Sequence, residues 1–238
     1  MIPFCSLLLA LSVPGFAEFI PKYGPAGAPR AVLLRSDAAF ARRSPAPDFW
    51  ALIPYYAGMR DGHSASAASA ATVLNALRRG VNYSSADELV TETALLAKLP
   101  AKDWADKLSG EKPAGVTLAE LGELTRAALA AYGLADRKVE VVPATKEPAF
   151  RAKVRALLEE NERTDADFLI ARYQQSSFTG DPEGAVGTYS AVGAFDAKRG
   201  RVLVLETDRK YYEPYWVALD VFVEGLAALP DGGLLRVR

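Results

Sequence analysis

Between Ala65 and Ala71 the chain holds five alanines interrupted only by Ser66 and Ser69, and this run limits what can be built around it. Such a segment has high helix propensity and almost no side-chain bulk, so neighbouring backbone can approach it closely. Val73, Leu74 and Leu77 follow at helical spacing, which predicts a buried central helix starting at Ser64 or Ala65. The polar stretch Met59-Arg60-Asp61-Gly62-His63 reads as a turn leading into it. A turn running into a helix start suits a nucleophile, because free backbone N–H groups and the helix dipole stabilise a thiolate or an oxyanion. Here the turn has the form of a catalytic one and lacks a catalyst.

With 238 residues, half of them hydrophobic, the chain can bury one substantial core in a single domain. Its 28 basic and 29 acidic residues leave a net charge of −1, which gives no electrostatic case for nucleic acid or an anionic membrane. The apolar run from Ile2 to Val13, followed by Pro14, Gly15 and Ala17, fits a signal peptide cleaved near Ala17 and a secreted or periplasmic protein. It is too short for a membrane span, and a buried N-terminal helix is the alternative. Cys5 is the only cysteine and lies inside that segment, so the mature chain would have no thiol for disulfides, zinc-thiolate sites or cysteine catalysis. His63 is the only histidine.

Taken in order, residues 18–47 read as an extended arm rich in Pro and Gly, with a short helix or strand within Val32 to Arg43. Asp48 is expected to cap the aromatic segment Phe49 to Tyr56. Beyond the central helix, closed by Gly80, Ser84 to Glu88 opens a helix running to Leu99, and 100–115 reads as a surface excursion. Thr117-Leu118-Ala119-Glu120 has the form of a capping box for a helix ending at Gly133. Val139 to Val142 reads as a strand and Glu147 to Glu162 as a helix. Three strand candidates then cover Phe168–Tyr173, Tyr189–Phe195 and Val202–Leu205, with a hairpin turn at Asp196 to Gly200. Helices first and antiparallel strands second is an α+β order.

Three ordered blocks carry a family resemblance. Phe49 to Tyr56, Ala65 to Ser69 with Val73-Leu74-Asn75-Ala76-Leu77, and Gly187-Thr188-Tyr189-Ser190-Ala191-Val192-Gly193-Ala194-Phe195-Asp196 followed by Val202 to Glu206 and Tyr211 to Val217 together resemble the phytochelatin synthase family. The resemblance implies a papain-like α+β fold over residues 48–238, with a Cys/His/Asp triad that attacks the γ-Glu-Cys-Gly peptide glutathione, releases glycine and passes on the acyl group. Matching Ser66, Ala68, Ser69 and Asn75 to the family's turn puts Ala65 at the cysteine position and Met59 at that of the oxyanion-hole glutamine. Thr188 falls at the histidine position and Glu206 at that of the aspartate.

Ala65 has no lone pair, Thr188 cannot cycle a proton near neutral pH and Met59 cannot donate to an oxyanion. The expectation is therefore a pseudoenzyme needing no cofactor, whose old cleft holds a glutathione-like peptide or a protein partner. Its cleft candidates are His63, Ser64, Ser66, Tyr189 and Tyr211. The competing reading is an active enzyme, either the family's γ-glutamylcysteinyl transfer or hydrolysis, or serine chemistry rebuilt from Ser64 or Ser66 with His63 and Asp61. Adjacent residues at one helix start do not readily converge as a triad requires. His63 with Asp61 offers too few ligands for a transition metal. Tyr211, Tyr212, Tyr215 and Trp216 either line a cleft or pack the end of the sheet.

Overall fold

A computed structural model of the chain describes residues 22–24, 30–80, 84–99, 102–109, 115–184 and 186–238. The expected signal peptide, with Cys5, lies outside the described residues. In chain order the elements are β1 (Ala31–Leu33), α1 (Ala39–Arg43), α2 (Pro47–Leu52), α3 (Ala65–Leu77), α4 (Glu92–Lys98), α5 (Lys102–Ser109), α6 (Leu118–Ala131), β2 (Val139–Pro143), α7 (Pro148–Asn161), β3 (Phe168–Gln174), α8 (Gln175–Thr179), β4 (Gly187–Asp196), β5 (Arg201–Leu205), β6 (Tyr215–Ala218), α9 (Leu219–Ala227) and β7 (Gly233–Val237).

The strands form one antiparallel sheet in the order β1-β6-β5-β4-β3-β7-β2. Because side chains alternate along a strand, near-continuous apolar strands feed two cores. Phe168 and Ile170, Tyr189 and Ala191, and Leu203 and Leu205 face the layer that contains α2, α3 and α6. Leu169, Ala171 and Tyr173, with Val192, Val202 and Val204, face α7, α8 and α9. A bulge between Val192 and Ala194 shifts the register of β4 against β5, so that Ala194 returns to the first core and Phe195 to the second.

Every residue of α3 is buried, which a helix of Ala and Ser tolerates because it needs little room against the sheet. Its Asn75 reaches across to the next segment, where the amide donates to the Val90 carbonyl at 2.9 Å and Oδ1 accepts the Val90 N–H at 2.8 Å. These bonds hold the chain around Val90 extended, so Ser84 to Glu88 opens no helix. The next helix waits for Thr91, whose side chain accepts the Ala94 N–H and caps α4. Gly80 lies beyond the Arg78 C-cap of α3 and is not its terminator.

Other expectations are corrected in the same layer. The stretch expected as a surface excursion contains α5, because Trp104 and Leu108, one helical turn apart, are both fully buried. Within the stretch expected as an arm with a short helix or strand between Val32 and Arg43, Ala31–Leu33 pairs with Tyr215–Val217 at the sheet edge and α1 follows. The capping box of Thr117 and Glu120 is present at α6, and Gly133 follows that helix with φ of 76°.

Asp48 is not a helix cap, because the N-cap of α2 is Ala46, held left-handed at φ 41°. Asp48 is instead fully buried, and Asn161 at the end of α7 donates to its Oδ2. Asp48 Oδ1, Asn161 Oδ1 and Glu162 Oε1 are buried without a hydrogen-bond partner among the described residues. Burial, reinforced by the charge of Glu162, pushes the Asp48 carboxyl up to about 10. Burial likewise raises Glu162 to about 7, although its Oε2 accepts the Phe195 N–H. Both groups keep protons in the folded state that the unfolded chain has released, so their stabilising contribution is complete below the ordinary carboxylate range. It is lost as pH rises through about 7 for Glu162 and about 10 for Asp48. Chemical denaturation across pH 5 to 10 is expected to show falling stability, and Asp48→Asn is expected to flatten the alkaline part of that fall.

Candidate functional site

The turn before α3 folds onto the Ser64 hydroxyl. The N–H groups of Arg60 and Asp61 donate to Ser64 Oγ at 3.1 and 3.2 Å, and Oγ donates to the Asp61 carbonyl at 3.3 Å. Asp61 Oδ1 accepts the His63 N–H, and the Met59 N–H donates to the Thr207 carbonyl at 2.8 Å. Ser64 occupies the N-cap position, yet its side chain makes no capping bond. The first backbone bond of the helix runs from the Ala68 N–H to the Ser64 carbonyl, so the amides of Ala65 to Ala67 lie ahead of the ladder.

Facing this helix start is the beginning of β4. A pocket of about 160 Å³ lies between them, and its walls include Met59, His63, Ala65, Ser66, Thr188 and Tyr189. Residues far apart in sequence, expected to share a site, are thus brought together. Ser64 is buried behind the pocket wall and is not one of its lining residues. Tyr211 is not among them either: it is 54 % exposed, with Lys22 and Lys210 beside its ring. Of the four aromatic residues expected either to line a cleft or to pack the end of the sheet, none lines this pocket: Trp216 packs in one core, Tyr215 in the other, and Tyr212 and Tyr215 both lie against Tyr23.

Glu206, one residue past β5, is fully buried and does not line the pocket. The hydroxyls of Tyr173 and Tyr215 each donate to its Oε2 at 2.8 Å, and the Asp208 N–H donates to Oε1 at 3.0 Å. Burial and the nearby Glu206 charge hold both tyrosines protonated, well above their ordinary range. Tyr173 is also the cross-strand partner of Thr188. The carboxylate therefore sits next to the histidine position but is engaged by phenols.

Three further lining residues carried no motif in the sequence: Arg172, Gln175 and Asp208. Arg172 stacks over the Tyr189 ring at 4.8 Å while its Nε donates to Asp231 at 2.8 Å. Tyr189 in turn donates to the Val116 carbonyl at 2.9 Å. Gln175 opens α8 and is only 2 % exposed. Burial holds the Asp208 carboxyl above its ordinary value. The signal for these positions was absent because a lone Arg or Gln in a strand-to-helix turn has no periodicity to mark it. Ser66, the one serine on the pocket wall, accepts a long 3.5 Å bond from Trp104 Nε1. Among the described residues, no group of three His, Cys, Asp or Glu side chains is placed to hold a metal ion, and no helix is long and apolar enough to cross a membrane.

A small-residue helix whose N-terminus faces an antiparallel strand across a cleft defines the papain-like α+β class. The family model of phytochelatin synthase matches residues 35–232 of the chain. The protein belongs to the phytochelatin synthase family, whose function is glutathione-related and transferase-like. A search of curated proteins finds no match.

Proposed function

We propose that this protein is a catalytically inactive member of the family, a secreted or periplasmic pseudoenzyme that retains the pocket as a binding site for a glutathione-like peptide. The observation that carries this reading is the methyl group of Ala65 at the helix start, opposite Thr188, in a chain whose single histidine lies elsewhere in the pocket wall. Losing a nucleophile or base of a triad costs about 10⁶ in turnover, and losing an oxyanion donor a further 10² to 10³ or so. Met59 at the glutamine position therefore removes much of what would survive the first two losses. Rebuilt serine chemistry is not favoured, because the Ser64 hydroxyl is consumed by its own turn and the Ser66 hydroxyl is paired with the Trp104 indole rather than with His63. Purified protein incubated with glutathione is expected to release free glycine no faster than a protein-free blank. Release that scales with protein concentration and survives repurification would contradict the proposal.

A further inference from the structure

We infer that the buried seam between α2 and the end of α7 is a binding site for a hard cation of the calcium class, held by Asp48, Asn161 and Glu162. The site lies apart from the pocket at the start of α3 and uses none of its residues.

Three oxygens carry the inference. Asp48 Oδ1, Asn161 Oδ1 and Glu162 Oε1 are each shut off from solvent and accept no hydrogen bond from a described residue. Asp48 is fully buried, and Asn161 is 1 % exposed. The other atom of each group is already engaged, since Asn161 Nδ2 donates to Asp48 Oδ2 and Glu162 Oε2 accepts the Phe195 N–H. The first of these bonds also orients the amide, which if turned over would set its oxygen against a carboxylate oxygen. What remains is three acceptors and no donor. Burying an acceptor without a partner is costly, so three in one cluster point to a positive group that meets them. A single shared proton bridges two of these oxygens and leaves the third unmet, whereas one cation meets all three.

No neighbouring side chain supplies that charge. Arg79 is committed to Asp165 at 2.6 Å and Arg236 to Asp167 at 2.9 Å, which leaves Asp48 and Glu162 as the acids of this cluster with no basic partner among the described residues. A pocket of about 540 Å³ outside the cluster is bounded by Ala46, Pro47, Glu162 and Phe195 and gives an ion a way in. Arg43, Lys198 and Arg199 line it too; none of them donates to the three oxygens, and their charge opposes a cation at the mouth. Two carboxylates and an amide carbonyl are an all-oxygen set, which suits Ca²⁺ better than metals that prefer nitrogen or sulfur. Ca²⁺ takes about six to eight oxygens, so water from the pocket completes its shell. Mg²⁺ demands a tighter octahedral shell and dehydrates reluctantly, and it fits this set less well. With two charged ligands and basic side chains at the mouth, the expected Kd is about 10⁻⁴–10⁻³ M.

The test uses the full chain freed of metals by chelation. Calcium chloride at about thirty times the expected Kd is expected to raise Tm by about 5 °C over choline chloride at equal ionic strength. Tb³⁺ is expected to luminesce on excitation of tryptophan, with Trp50 two residues from Asp48, and Ca²⁺ is expected to compete that emission away. Asp48→Asn and Glu162→Gln each remove one charged ligand and are expected to weaken Ca²⁺ binding about tenfold. The Glu162 variant, at the edge of the cluster, keeps the test open if the Asp48 variant does not fold. A Tm that Ca²⁺ moves no further than choline chloride does, a stronger response to Mg²⁺ than to Ca²⁺, or unchanged Ca²⁺ affinity in the Glu162→Gln chain would overturn the inference.

Discussion

Combining Ala65→Cys with Thr188→His is expected to turn an inert chain into one that forms a covalent adduct with glutathione. In that step the new thiolate attacks the carbonyl of the Cys–Gly peptide bond, the C–N bond breaks, and glycine leaves with a proton from the new imidazole. Ala65→Cys alone should give a thiol whose pKa is lowered by the α3 N-terminus, so iodoacetamide should alkylate it faster than a free cysteine, yet without turnover. Thr188→His alone should give nothing. The residues of a triad act as a unit, and their effects are therefore far from additive. Adding Met59→Gln should raise the adduct rate by a further 10² or so, the usual worth of one oxyanion donor. Turnover should remain modest, because Glu206 is held by the Tyr173 and Tyr215 hydroxyls and does not face the restored imidazole. Quenched-flow mass spectrometry of the four chains checks the series, and equal adduct formation in the single and double variants would contradict it.

The second large effect concerns stability. Replacing Asn75 by Leu leaves the buried Val90 N–H and carbonyl without the two bonds that Asn75 provides. Orphaning each such group costs about 1–3 kcal/mol, so a loss of about 4 kcal/mol is expected. For a chain of this size that corresponds to a fall in Tm of roughly 10 °C. Asn75→Asp keeps the acceptor for Val90 N–H and should cost less, although it introduces a buried charge. Thermal melts of the two variants against the parent decide it, and a Tm for Asn75→Leu within 2 °C or so of the parent would remove Asn75 from the account.

Legibility in the sequence followed physical distinctiveness. The central helix could be read because a run of Ala and Ser has one sensible structural use, and the strands from Phe168 to Leu205 because they are apolar and β-branched. The capping box at Thr117 and the hairpin at Asp196 to Gly200 are local chemistry and formed where expected. Asp48, expected as a cap, and Ser64, expected in the cleft, are the instructive failures. Both are cap-type residues beside a helix start, but tertiary structure claims Asp48 for Asn161, and Ser64 is claimed by the N–H groups of its own turn. Helix α5 was hidden by its charged residues, although Trp104 and Leu108 have helical spacing. The pocket divides in the same way. Ala65, Thr188 and Met59 were legible through a family pattern, whereas Arg172, Gln175 and Asp208 are assembled only by the sheet register and the loop after β5.

The most direct test of the central claim is the intact mass of the unaltered protein, quenched in acid after prolonged incubation with excess glutathione. A binding scaffold with Ala65 at the position of the family's cysteine predicts an unmodified mass at every time point. A stoichiometric acyl adduct that maps to the segment around Ala65, or to any pocket residue, would contradict it.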